Sequence, residues 1–153
     1  MSALEGVHLG AIAIWFLSAG FDVGLEIVLR WTRSADLQRS LIELHRKIDV
    51  WIEGPAVIVT VVSGAALLRA AGLVGGELPW PGWLEWKVAS GLIAATANLA
   101  CVAFVLARAR AARAAPEPTP RQIVAVRRWS AAIWLTGLGV PFALGALALG
   151  VWH

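Results

Sequence analysis

The chain has 153 residues, 59% of them hydrophobic, and a formal net charge of +3 at pH 7. Soluble domains are about 45 to 50% apolar, so the composition excludes an ordinary soluble protein and favours an integral membrane protein. The basic residues flank apolar stretches instead of lining one soluble face, which excludes nucleic acid as a partner and is typical of a chain placed in a lipid bilayer.

Four apolar stretches are long enough to cross a membrane as helices, since about 20 helical residues span the hydrocarbon core. We predict an all-α fold in which a single transmembrane domain, residues 1–153, forms a four-helix bundle. Its helices are expected at about residues 8–30, 45–69, 84–109 and 122–152. The polar residues 31–44 are expected to form the first loop.

Arginine and lysine are concentrated in the loops that follow the first and third helices. Loops rich in these residues stay in the cytoplasm during membrane insertion, so both loops are predicted to be cytoplasmic. Both chain termini would then lie on the outer, periplasmic side of a bacterial-type inner (cytoplasmic) membrane.

The first helix carries a polar stripe at two depths. His8 and Glu26 point in the same direction at about 100° per residue, and Trp15 and Asp22 fall within about 40° of that line. Along the helix axis, however, His8 and Glu26 are about 27 Å apart. The stripe therefore predicts an outer polar level near His8 and an inner one near Asp22 and Glu26.

The second helix adds to the inner level, because His45, Asp49 and Glu53 follow one another at intervals of four residues on one helix face. Charged side chains are costly in lipid, so we expect them to face the bundle interior. The predicted inner cluster contains five ionisable residues: Asp22, Glu26, His45, Asp49 and Glu53.

Two explanations of the inner cluster remain open. One is a set of structural salt bridges with basic residues at similar depth, which are Arg30, Arg46, Lys47, Arg127 and Arg128. The other is a site for a metal ion or a proton, since carboxylate and imidazole ligands suit Mn, Fe or Zn.

The third helix also has a polar face, formed by Lys87, Asn98 and Cys101. Polar groups turn away from lipid, so this face should meet the other polar stripes inside the bundle. Cys101 is the single cysteine of the chain and cannot form an internal disulfide.

The outer level is predicted to contain His8, Glu85 and Lys87, and His153 lies at the same membrane face. Lys87 would place a cation beside His8, where a carboxylate or a propionate could bind. His8 and His45 should lie near opposite membrane faces, which excludes a haem ligated by these two histidines. A pair of His8 and His153 stays possible on geometry.

Short motifs in all four helices follow a known pattern. They are His8 followed by Trp15-Phe16, Arg46-Lys47 followed by Pro55-Ala56, Thr60 and Gly64, then Trp83-Leu84-Glu85-Trp86-Lys87, and Val140-Pro141. In these motifs the chain resembles the HemJ-type protoporphyrinogen oxidase family and the wider group of four-helix membrane proteins related to CopD. It departs from the family at Glu85, where the family has His, and at Leu138-Gly139, where it has Asn-Glu.

The resemblance implies a haem b or porphyrin site with His8 as axial ligand of the haem iron and Lys87 as a second ligand or a propionate partner. Trp15 and Glu85 would complete the cofactor-binding site. The expected function is electron transfer or a porphyrin-linked redox step, with a possible oxidoreductase activity. A membrane redox partner or a homo-oligomer would be the protein partner.

Two other functions are kept as alternatives. The first is metal ion handling or transport through the inner cluster. The second is a non-catalytic subunit of a larger membrane complex, which would pack through glycines such as Gly20, Gly24, Gly137 and Gly145.

Overall fold

The computed structural model describes residues 2–74, 79–113 and 119–151, and within these ranges the chain is helical and contains no strand. The elements are α1 (Ala3–Trp31), α2 (Ala35–Ile48), a π-helical turn (Asp49–Glu53), α3 (Gly54–Ala70), α4 (Gly82–Arg113), α5 (Pro120–Thr136), a 3-10 turn (Gly137–Gly139) and α6 (Val140–Val151).

Four continuous helical spans result, because α2 runs through the π turn into α3, and α5 runs through the 3-10 turn into α6. Each is long and apolar enough to cross a membrane: Ala3–Trp31, Ala35–Ala70, Gly82–Arg113 and Pro120–Gly150. The prediction of an all-α chain with four potential membrane-spanning helices is confirmed.

The first loop is shorter than predicted, because residues 35–44 are helical. The Ser34 hydroxyl accepts a hydrogen bond from the Leu37 backbone N–H at 3.4 Å and so caps the start of α2. The helix that follows is amphipathic, and it buries Ile42 and His45 against the bundle. The prediction of a loop over residues 31–44 was wrong because polarity here marks the outer face of a helix.

The spans pack as two neighbouring pairs, with α1 against α3 and with α4 against α5 and α6. Small residues permit close approach: a Cβ added to Gly139 would lie 2.6 Å from the Cβ of Ala97 on α4. Many large aliphatic side chains point outward, and Leu17 is 75% exposed. An apolar outer surface of this kind suits contact with lipid.

The second span is widened by the π turn, where the Gly54 N–H donates to the Asp49 carbonyl five residues earlier. Pro55 has no N–H to donate to the Trp51 carbonyl, which disfavours a regular α-helix at this point. A Cβ at position 54 would lie only 2.9 Å from the Asp49 carbonyl oxygen, so the turn favours glycine, which has no side chain. The widened turn begins and ends at two residues of the inner cluster, and π turns often occur at functional sites.

Candidate functional site

The five residues of the predicted inner cluster lie together in the bundle interior. Asp22 and Glu26 come from α1, His45 from α2, and Asp49 and Glu53 from the two ends of the π turn. None is more than 7% exposed, and His45 is 1% exposed. Together with Arg108, these five residues are the charged side chains and histidines that are buried among the described residues.

His45 is the centre of this cluster. Its Nε2 lies 3.4 Å from Asp49 Oδ1 and 3.8 Å from Asp22 Oδ1. On the other side of the ring, Nδ1 lies 2.9 Å from Glu26 Oε1. Nδ1 has two neighbours with opposite requirements, because Glu26 only accepts a hydrogen bond and the Arg108 guanidinium only donates one. In the tautomer that protonates Nδ1, the ring donates to Glu26, makes no hydrogen bond with Arg108, and directs the Nε2 lone pair at the two aspartates.

Arg108 of α4 is the cation in contact with the cluster, and its side chain is fully buried. Its Nη1 donates to Glu26 Oε1 at 2.5 Å and to the Ser130 hydroxyl at 3.2 Å. Its Nη2 lies 2.8 Å from His45 Nδ1. Arg108 was not among the basic residues that the sequence led us to expect beside the inner cluster.

Among the described residues, the basic side chains expected to pair with the inner carboxylates form no ion pair with them. Arg46 donates to Glu43 Oε1 at 2.5 Å, and Arg113 also donates to Glu43. This ion pair lies at the periphery, since the Arg113 side chain is 59% exposed. Arg30 and Arg127 line a separate cavity.

Several oxygen atoms of the cluster and of the adjacent Asn98 have no hydrogen-bond partner in the part of the chain that the structure describes. They are both carboxyl oxygens of Asp22, Oδ2 of Asp49, Oε2 of Glu53 and Oδ1 of Asn98. Asn98 donates from Nδ2 to Glu53 Oε1, so its own carbonyl oxygen is left over. Buried polar atoms are nearly always satisfied in folded proteins. The carboxyl groups of Asp22, Asp49 and Glu53 lie within hydrogen-bonding reach of one another, so either shared protons or a bound cation would satisfy these oxygens.

Three of these residues have the geometry of a metal site. Asp22, His45 and Asp49 each offer one ligand atom, and the three atoms lie within 4.8 Å of one another. An ion of the usual protein type binds carboxylate oxygen and imidazole nitrogen at about 2.0 to 2.2 Å, a spacing that small side-chain movements would reach from here. The chain therefore contains a possible buried metal-binding site.

The outer level is organised differently. His8 Nδ1 lies 2.9 Å from the Ser63 hydroxyl of α3, and a Cβ on the adjacent Gly64 would lie 3.1 Å from His8 Cε1. Lys87 turns its ammonium towards α6, where a Cβ on Gly150 would lie 2.7 Å from Nζ. Glu85 is exposed.

His153 lies outside the described residues. The pairing of His8 with His153 therefore stays a prediction.

A cavity of about 470 Å³ lies beside the inner cluster. Asp22, His45 and Glu53 form its polar edge, and Trp15 is among the apolar residues of its wall. Of the described residues, neither His8 nor Lys87 lines this space. The predicted haem ligands thus do not face the cavity, and the haem site stays a prediction.

Comparisons with protein-family models, with curated proteins and with solved structures found no match to this chain. The resemblance to HemJ-type and CopD-like proteins therefore rests on short sequence motifs. The class that the fold and the site define is coarser: a four-helix bundle with four potential membrane-spanning helices and a possible buried metal site.

Proposed function

We propose that the protein binds a divalent transition-metal ion such as Mn²⁺, Fe²⁺ or Zn²⁺ inside the membrane, as part of metal ion handling or transport. The observation that carries the proposal is the donor set of Asp22, His45 and Asp49, which converges in a buried position next to unpartnered oxygens. One imidazole nitrogen with carboxylate oxygens is a ligand set that suits these metals.

Charge balance supports a cation as the missing partner. Four carboxyl groups face one guanidinium, that of Arg108, so the ionised cluster would carry excess negative charge. Burying unpaired charge is costly, and proteins offset the cost by pairing charges, by coordinating metals or by taking up protons. A divalent ion at His45 would neutralise most of the excess and give the orphaned oxygens a partner.

The neighbours of His45 suit a supporting role around such an ion. A metal-binding histidine usually donates its second ring N–H to a carboxylate, which fixes the ring and its tautomer. Glu26 lies at that position, 2.9 Å from Nδ1. Arg108 in turn holds Glu26, so the carboxylate is oriented from two sides.

The membrane placement forms part of the same proposal. Arginine-rich segments after the first and third spans would stay in the cytoplasm, with both termini outside, in a bacterial-type inner membrane. Asp22 is about 21 Å along α1 from His8, so the metal would lie in the cytoplasmic half of the bilayer.

The proposal is tested by metal titration of the detergent-purified protein, which is first dialysed against a chelator. Binding of Mn²⁺ or Zn²⁺ is followed by calorimetry, and metal content by elemental analysis. We expect one ion per chain, and we expect loss of that ion in Asp49→Asn and His45→Gln. Glu26→Gln should weaken binding by about 10- to 100-fold, the usual effect of removing a carboxylate that orients a metal-binding histidine.

Glu43→Gln is the matched control, because it removes a carboxylate from the same helix as His45 at a peripheral ion pair. It should leave metal affinity unchanged. Metal binding that survives in Asp49→Asn and in His45→Gln would refute the site. A wild-type chain that binds neither ion would leave protons as the neutralising partner and overturn the proposal.

Haem b bound through His8 is a second candidate, and one contact favours it. The Ser63 hydroxyl donates its proton to the Val59 carbonyl at 2.5 Å, so it accepts from the His8 Nδ1–H. The His8 lone pair is then on Nε2, as a haem ligand requires. A Soret band in the purified protein that is lost in His8→Ala would support this function, and its absence would exclude it.

A further inference from the structure

A second cavity, of about 680 Å³, lies between the ends of α1, α2, α4 and α5. It is separate from the donor atoms of the metal site, and its floor is formed by Glu26 and Arg108. Neither the metal proposal nor the haem prediction uses this space.

The lining of this cavity is strongly basic. Among the described lining residues, Glu26 is the one acidic residue. Five arginines line the same cavity: Arg30, Arg33, Arg39, Arg108 and Arg127. Glu26 is already bound by Arg108 and His45. The cavity therefore has cationic groups in excess of the acceptors that the described chain provides.

Several of these guanidinium groups have donors to spare. Arg30, Arg33 and Arg127 make no hydrogen bond or ion pair within residues 2–74, 79–113 and 119–151. Arg108 is 0% exposed, and its Nε has no hydrogen-bond partner in the same ranges. Because the Arg108 side chain has no surface open to the cavity, the donors available to a ligand there are those of Arg30, Arg33 and Arg127.

The rest of the lining is apolar, with Leu29 and Ile42 on one side and Ile123, Val126 and Trp134 on the other. Guanidinium groups bind phosphate through paired N–H donors. Basic pockets between membrane helices are typical sites for anionic lipid headgroups. A phosphate at the arginines and an acyl chain along the apolar residues would use both kinds of surface.

We propose that this cavity binds a phosphate-bearing anion, with its phosphate held by Arg30 and Arg127. The apolar walls favour the phosphate of an anionic lipid over a free phosphate ion. This ligand is distinct from the metal ion, because an arginine-lined cavity repels cations.

Native mass spectrometry of the full chain in detergent tests the site. The protein is mixed with phosphatidylglycerol or with phosphatidylcholine of the same acyl chains, and the bound lipid is counted. A second arm repeats the phosphatidylglycerol titration in the presence of inorganic phosphate. We expect retention of phosphatidylglycerol over phosphatidylcholine, and about a fivefold loss of affinity for each of Arg30→Gln and Arg127→Gln.

Arg128→Gln is the matched control, because Arg128 is next to Arg127 in α5 and is exposed like it, but does not line the cavity. It should change affinity by less than about twofold, as expected for a charge that adds only general attraction to the surface. Selective binding that inorganic phosphate does not displace assigns the site to a lipid. Displacement at millimolar phosphate assigns it to a free anion.

Equal retention of the two lipids without phosphate binding would overturn the proposal. An equal loss in Arg128→Gln and Arg127→Gln would also overturn it, because the attraction would then belong to the surface and not to the cavity. Failure of the metal titration leaves these outcomes unaffected.

Discussion

The two polar levels of the bundle differ in how far the protein satisfies its own groups. At the outer level, His8 and Ser63 form one hydrogen bond between neighbouring helices, and the Ser63 hydroxyl is satisfied by a backbone carbonyl. At the inner level, Asp22 and Asp49 keep oxygens without a hydrogen bond although they are almost fully buried.

This difference separates polar groups that are satisfied within the protein from polar groups that are not. A pair that is complete within the protein rigidifies the contact between two helices and needs nothing else. A cluster that is incomplete destabilises the empty protein, and stored instability of this kind is common at functional sites. The comparison therefore favours the inner level as the functional centre, and substitutions can test it.

The largest effect is expected for Arg108→Met, because it leaves Glu26 and His45 without their cationic partner. Removing one member of a buried ion pair typically costs about 3 to 5 kcal/mol. Thermal unfolding in detergent, followed by circular dichroism, should show a large fall in melting temperature. The double variant Glu26→Leu with Arg108→Met removes both charges and should regain a large part of that loss.

Arg110→Gln serves as the control for this change, because Arg110 is exposed on the same helix. It should leave the melting temperature almost unchanged. If the melting temperature fell as much in Arg110→Gln as in Arg108→Met, any arginine at this depth would stabilise the helix. The specific role of Arg108 inside the bundle would then be wrong.

A smaller effect, of opposite sign, is expected for Asp22→Asn. Asp22 contacts His45 only at 3.8 Å, beyond hydrogen-bonding distance, so an amide of the same size removes a charge from the carboxyl cluster at the expense of one long ion pair. In chelator, the variant should be more stable than the wild type by about 1 to 3 kcal/mol, because a neutral amide costs less to bury than an unpaired carboxylate.

Added metal should reverse that order, because the wild type gains stability by binding the ion and Asp22→Asn does not. The measurement is the melting temperature of both chains with and without Zn²⁺. If Asp22→Asn were less stable than the wild type in chelator, Asp22 would have a structural role, and the cluster would not be strained when empty.

Much of the scaffold was predictable from the sequence, because the length and apolar character of four segments determine where helices can span a membrane. The polar face of the third helix also indicates that Arg108 lies inside the bundle. Arg108 follows Cys101 by seven residues, two helical turns, and so continues the stripe of Lys87 and Asn98 into the inner level.

The π turn could not be predicted by assuming a fixed rotation of about 100° per residue along the helix. Its cause is local, since Pro55 lacks an N–H and Gly54 lacks a side chain. The inner partner of the carboxylates was also missed, because the sequence offers many arginines at similar depth and only packing decides which one turns inward. Tertiary contacts thus selected Arg108 from residues that look equivalent in the sequence.

The smallest effect is expected for Ser63→Ala at the outer level, which removes the acceptor of His8 Nδ1. Loss of one neutral hydrogen bond costs about 1 kcal/mol.

Gly64→Ala is the local control, since it adds a Cβ 3.1 Å from His8 Cε1 without removing the Ser63 hydroxyl. Both variants should bind Zn²⁺ as the wild type does, because the outer level lies about 21 Å along α1 from Asp22. If Ser63→Ala abolished metal binding, the outer level and the inner cluster would act as one site. The distinction between a structural hydrogen bond at the outer level and a metal site at the inner cluster would then be wrong.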